Sequence, residues 1–378
     1  MAVSTNTEVT ELQAPPRQVT KNALIYFFGQ LLSWIATFCA VSIIPTLVGI
    51  ESQGQIILVA NKVMLFYPLL TFGIDVFIMR EVGQDHSRAE WLVRSCLGLR
   101  IAIFPLLILL SLLTLSFTKN MTPMIWKMGY LGIIFITFVF FSDIFRATLG
   151  GLEEAKRVSL TELIFSVSPL LAIPFLKFGN PLPYQYMVCI GGFIVLAIRW
   201  NWVRKRTLLR PIFNISAWKE ILKGGLPYVA NNMILQILST IAIFMLEYLD
   251  SHKALGIYGQ ALKLFGTFLF IPTALGMALM PSLARLGEED KEQIGGLQER
   301  VMVLLIVLGL PLMTLVMLLA EPLAHILYRK SGSIGIPADF LMVPMVLRIY
   351  ALAIIPMYLV TALYQFLVAQ NRGGIWTR

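Results

Sequence analysis

Charge is scarce in this chain. Asp, Glu, Lys and Arg make up 13% of its 378 residues, well below the roughly 25% of soluble domains, and that shortage excludes an ordinary water-soluble fold. Cysteine is nearly missing as well: Cys39, Cys96 and Cys189 all lie inside apolar runs without CxxC spacing, so neither a disulfide framework nor a zinc site is expected, and the three are read as packing residues. His86, His252 and His325 are scattered over loops and the ends of apolar runs and make no metal set. No Gly-rich phosphate loop precedes a helix, which excludes a built-in ATPase, and no nucleophile triad is visible. No cofactor or metal is therefore expected.

What is present is apolar. Hydrophobic residues reach 57% and the mean hydropathy is +0.78, the composition of an all-α polytopic membrane protein whose backbone must satisfy itself in helices. A crossing needs about 20 mainly apolar residues. By that measure ten spans are expected, over 23–48, 55–79, 92–117, 122–149, 158–177, 185–204, 226–248, 254–284, 300–320 and 339–368. The first is too long for a signal sequence and no small-residue cleavage pattern follows it, so it stays in the mature protein. The basic residues behind the net charge of +9 lie in the gaps between spans, where they orient a membrane protein rather than bind nucleic acid. Eighteen Lys and Arg fall on the side of the N-terminus against five (Lys119, Lys177, Lys253, Arg329 and Lys330) on the other, which makes the N-terminal side cytoplasmic.

Two outside-to-inside stretches resemble each other. Gly54, Ala60, Lys62, Pro68, Gly73 and Arg80 find counterparts in Gly256, Ala261, Lys263, Pro272, Gly276 and Arg285, at separations running from 201 (Lys62 to Lys263) to 205 (Arg80 to Arg285). A parallel repeat of this kind divides a transporter into two lobes related by an axis along the membrane normal; chance likeness between two apolar helices is the alternative. The border falls at the longest connection on the N-terminal side, RKRTLLRPIFNISAWKEILKGG. There Ile215, Trp218, Ile221 and Leu222 share one helical face, and Asn214 or Ser216 is available as N-cap. A short helix lying on the inner leaflet is expected. The expected organisation is a disordered cytoplasmic tail over 1–22, a six-helix lobe over 23–206, a linker over 207–223, and a four-helix lobe over 224–378. Six helices against four make the second lobe read as truncated, with its last pair missing.

The stretches FGIDVFIMREVGQD, GLPYVANN, LGIYGQALKLF, IPTALGMALMPSLARL and YQFLVAQNRGG resemble the oligosaccharide flippase (polysaccharide biosynthesis protein) family of the multidrug/oligosaccharidyl-lipid/polysaccharide flippase superfamily. The likeness covers roughly residues 22–378 and rests on glycine and proline punctuation rather than on a catalytic signature. It implies a MATE-like fold of two bundles around a central cavity, worked by alternating access.

Ionisable residues inside a membrane are costly and mark functional sites by default. Lys62, Lys263 and Arg348 sit at similar depth from the outer end of their spans, so they either form a cationic ring for an anionic substrate or snorkel outwards and pair locally. Recurrence in the repeat favours function for the two lysines, which are expected to face each other. Arg100 is either a lower rung for the same anion or snorkels inwards. Asp143 and Arg146, three apart, read as a helical salt bridge. Asp75 and Glu162 are candidate gate residues towards basic groups of the second lobe. Asn231, Asn232 and Gln236 either bind sugar hydroxyls or hydrogen-bond between helices. Pro169 and Pro174, like Pro272 and Pro281, are expected to kink their spans.

The expected function is a flippase of the bacterial inner membrane. It carries a polyprenyl-pyrophosphate-linked oligosaccharide outward for surface polysaccharide synthesis, as a monomer, with the coupling ion, proton or sodium, left open. A cation-coupled multidrug exporter of the same superfamily is the alternative, though it wants deep acidic residues where this chain has mainly basic ones. A membrane polymerase or ligase, placing its chemistry in a large outer loop, is disfavoured because the longest outer loop is only about 321–339.

Overall fold

A computed structural model describes residues 16–273, 275, 291–328 and 337–369, and within them the chain is helical almost throughout. Helix α1 (Pro16–Val48) starts inside the stretch expected to be a tail; proline suits a first helical turn, where its missing N–H is not needed. The second expected span is broken in three: α2 (Ile50–Met64), α3 (Tyr67–Thr71) and α4 (Ile74–Gln84). Next come α5 (Ala89–Ser116) and α6 (Pro123–Gly151), the latter capped by the Thr122 side chain, which accepts from the Ile125 N–H. The fifth span begins as α7 (Ala155–Val167) and tightens into a 3-10 turn over Ser168–Phe175, where Pro169 and Pro174 cannot donate to an α-helical ladder. Then follow α8 (Leu182–Val203), α9 (Ile215–Leu249), α10 (His252–Phe268), α11 (Lys291–Tyr328), α12 (Val343–Ala351) and α13 (Ile354–Ala369). Gly276, Pro281 and Arg285 of the repeat lie outside the described residues.

Among the described residues eight helices are long and apolar enough to cross a membrane, and nine if Ala338–Ala351 and Ile354–Leu363, bent by 50°, count as one crossing. The remaining expected span, 226–248, falls within α9.

The linker helix differs from expectation. Instead of a separate segment, it is the first part of α9, which runs unbroken for 35 residues. Asn214 is the cap, its Oδ1 accepting from the N–H groups of Ser216 and Ala217. Most of the apolar face expected to meet lipid packs on protein: Ile221 is fully buried, and Trp218 and Leu222 lie against the core shared by α4, α5 and α6, while Ile215 is exposed.

Two close approaches fix how the helices cross. At Gly54 of α2 a Cβ would overlap the His252 carbonyl oxygen, and at Gly256 of α10 it would overlap that of Ile50. These two glycines therefore mark a point where α2 and α10 touch. Lower on the same span Phe72 and Gly73 both adopt left-handed backbone (φ 54 and 63), and α9 closes on that break with Gly225, whose missing side chain leaves room for the Phe72 carbonyl. A left-handed phenylalanine costs roughly 1–2 kcal/mol, so the break is held by packing rather than chosen by the chain. A separate core links α10–α13 with Val41 of α1 and Ile50 of α2.

Candidate functional site

Lys62 lies on α2 and is 4% exposed. Its Nζ sits 2.8 Å from Glu247 Oε2 of α9, and the glutamate side chain is wholly buried. The ammonium also donates to the Phe117 carbonyl at 3.2 Å and approaches the rings of Phe244 and Tyr248 at 5.3 and 5.9 Å. Around it Glu247 Oε1 accepts from the Lys119 N–H, Lys119 Nζ donates to the Tyr248 carbonyl, and the Tyr248 hydroxyl donates to Phe117 O. The result is a knot joining the end of α5, the end of α9 and the middle of the broken span. Desolvation makes such a pair expensive to bury, and removing one partner is far more costly than keeping both.

Lys263 of α10 has a different setting. It lines a cavity of about 280 Å³ with Thr37 and Val41 of α1, Gln53 of α2, Phe165 and Ser166 of α7, and Tyr184 of α8. No carboxylate among the described residues lies within salt-bridge distance. The expectation that Lys62 and Lys263 face each other is therefore corrected. Lys62 turns to Glu247 of α9, and Lys263 to a cavity lined by residues of α1, α2, α7 and α8.

The third expected member of the ring is elsewhere. Arg348 of α12 bonds the Met317 carbonyl at 3.1 Å and pairs with Glu321 of α11 at 3.1 Å, both side chains well exposed, and it lines neither cavity described here. Arg100 neither snorkels nor reaches a partner. It is fully buried, its guanidinium stacks 4.7 Å from the Phe140 ring, and none of its nitrogens has a hydrogen-bond partner among the described residues. Gln236 donates to Thr240 Oγ1 on its own helix, and Thr240 in turn donates to Asn61 Oδ1 of α2, a helix-to-helix role. Asn231 and Asn232 are on α9, with side chains outside the described residues.

A second, larger cavity of about 450 Å³ opens among α1, α6, α7 and α8, lined by Tyr26, Gln30, Asp143, Arg146, Glu162 and Arg199 among others. Arg146 bonds Asp143 at 3.2 Å and Asp75 at 3.4 Å, and the Tyr67 hydroxyl donates to Asp143. Arg199 pairs with Glu162 at 2.7 Å and also donates to Thr161 and Ser142. Asp75 and Glu162, expected to reach basic residues of the second half, are thus satisfied by α6 and α8 instead. The Asp143–Arg146 pair is present, widened by Asp75 and Tyr67 into a network.

Glu247 and Arg199 are the residues that sequence reasoning missed. Both are single charges inside apolar runs, the same signal that drew attention to the lysines; Glu247 sits near the end of its run and reads as interfacial until a partner is seen.

The family described as "Lipid II flippase MurJ" matches residues 74–373. No curated protein sequence matches the chain. Among solved structures, the chain is similar to the lipid II flippase MurJ in an inward closed conformation, with a TM-score of 0.65 at 14% identity, covering 95% of this chain and 78% of that one. It is similar to the eukaryotic MATE transporter AtDTX14, with a TM-score of 0.65 at 13% identity over 96% of this chain and 84% of that one. A MOP superfamily transporter from Pyrococcus furiosus gives a TM-score of 0.60 at 15% identity over 96% and 84%. At these identities the likeness is one of fold, an all-α, multi-pass, MATE/MurJ-like membrane architecture.

Proposed function

This chain belongs to the lipid II flippase MurJ family, non-enzymatic membrane transporters of a lipid-linked substrate, and on that premise we propose how its own residues serve the task. The substrate is a polyprenyl-pyrophosphate-linked oligosaccharide carried across the bacterial inner membrane. Ten spans make two lobes, six before the linker and four after it, with the N-terminus cytoplasmic by the distribution of Lys and Arg. The chain acts as a monomer, and a proton or sodium ion is the candidate driving ion.

One observation carries this reading: Lys263 is a cation in a cavity with no carboxylate at salt-bridge distance among the described residues, whereas its repeat partner Lys62 is neutralised by Glu247. The free cation suits a diphosphate, since an anion in a low-dielectric cavity gains most from an unpaired charge. Lys62 and Glu247 hold the two lobes together when that side is closed and must separate when it opens. A cationic-drug exporter needs deep carboxylates free to bind protons or drug. Here Asp75, Asp143, Glu162 and Glu247 all have basic partners, which favours the flippase.

The test is a proteoliposome assay with a fluorescent polyprenyl-pyrophosphate sugar, read by loss of the label's accessibility to an impermeant quencher. Lys263→Gln is expected to lose flipping while reconstituting at normal level. Unchanged flipping in that variant would remove Lys263 from the site.

A further inference from the structure

The 450 Å³ cavity is in the size range of small-molecule sites, roughly 300–1,000 Å³, and its charges decide what it can hold. Its two lining carboxylates, Asp143 and Glu162, are paired with Arg146 and Arg199 at 3.2 and 2.7 Å, and Asp75, behind the lining, shares Arg146 at 3.4 Å. An anionic diphosphate wants surplus positive charge and a cationic drug wants an unpaired carboxylate, and this lining offers neither. What it does offer is a dense set of fixed donors and acceptors from ion pairs, together with Tyr26 and Gln30, whose side chains make no hydrogen bond among the described residues. A neutral ligand with many hydroxyls fits that chemistry.

Position adds a second argument. Phe165 lines this cavity and the Lys263 cavity alike, and it is braced by stacking on Phe135 at 5.7 Å with planes 19° apart. The two chambers therefore adjoin along α1 and α7, one cationic and the other polar with its charged side chains paired. An aromatic ring at their boundary gives an apolar sugar face something to pack on.

We propose that the cavity among α1, α6, α7 and α8 is a carbohydrate subsite, which seats the first sugar of the lipid-linked substrate while Lys263 holds the adjoining diphosphate. This rests on the flippase reading above. Tyr26 and Gln30 bond the sugar hydroxyls directly. The paired carboxylates accept from further hydroxyls without giving up their arginines, since each carboxylate oxygen has two acceptor sites.

The experiment uses the full chain in lipid nanodiscs and two probes, undecaprenyl pyrophosphate and undecaprenyl pyrophosphate bearing one N-acetylglucosamine, with dissociation constants read by native mass spectrometry. The wild type is expected to favour the sugar-bearing lipid about tenfold, the worth of one or two net hydrogen bonds. Gln30→Leu and Tyr26→Phe preserve volume and are expected to cut that preference to about twofold, each removing roughly one hydrogen bond, with the bare lipid bound as before. Lys263→Gln is expected to weaken both lipids by the same factor. Equal binding of the two lipids by the wild type, or a preference untouched by Gln30→Leu and Tyr26→Phe, overturns the subsite while leaving the flippase reading standing. A wild type that binds neither lipid overturns both.

Discussion

Lys62 and Glu247 meet at 2.8 Å across the seam between α2 and α9, with side chains 5% and 0% exposed. Burying either without the other would be costly. Mutating one partner to methionine leaves the other uncompensated, at a cost of about 3–5 kcal/mol, whereas replacing both with apolar residues is often neutral. Lys62→Met and Glu247→Met are each expected to melt well below the wild type in detergent, and the double variant to recover most of the loss. A double variant as unstable as the singles would show that the pair is not coupled.

The same double variant separates stability from transport. With the seam closed by apolar contact instead of an ion pair, flipping in proteoliposomes is expected to slow even though the protein is folded, because the switchable contact is gone. Unaltered flipping would make the pair purely structural.

Gly54 and Gly256 give a steric prediction. A Cβ at either position meets backbone on the other helix, and backbone cannot rotate away as a side chain can. Gly54→Ala and Gly256→Ala are each expected to cost about 1–3 kcal/mol, the usual range for overpacking, seen as a lower melting temperature. Gly266→Ala is the control: among the described residues nothing lies within 4 Å of the position its Cβ would occupy, so it should melt no lower than the wild type, and slightly higher by alanine's better helix propensity.

Arg100 tests whether a buried charge here is kept for stability or for use. Its three guanidinium nitrogens have no partner among the described residues, so Arg100→Met is expected to raise the melting temperature, by the reasoning that apolar side chains replace buried charge at no loss. If flipping survives in the stabilised variant, the arginine is not a rung for the substrate; if flipping is lost, it is.

Much of this was readable in the sequence because membranes make charge conspicuous. Lys62 and Lys263 stand out as charges in apolar runs, and each has an alanine two residues before it, Ala60 and Ala261, the likeness on which the expected repeat rests. The partners were not readable. Glu247 is 185 residues from Lys62 (247 minus 62), and nothing local to either position announces the other. Gly54 and Gly256 are legible in the sequence as counterparts, but that each meets backbone of the other's helix is a property of the packing. The broken second span was missed because Phe72, a residue that disfavours left-handed backbone, shares the break with Gly73. Packing by α9 overrides local preference there.

Helix α9 runs from Ile215 to Leu249, bears on the broken span at Gly225 and carries Glu247 near its far end. At about 1.5 Å per residue, Glu247 is about 33 Å from that bearing and Ile215, where the helix begins, only about 15 Å from it on the other side. A tilt of about 10° about Gly225 moves Ile215 by about 3 Å and Glu247 by about 6 Å, enough to part a salt bridge. The linker end is the short arm of a lever and the lysine–glutamate pair is at the tip of the long one. If α9 tilts as one body, a displacement at Ile215 is about doubled at Glu247.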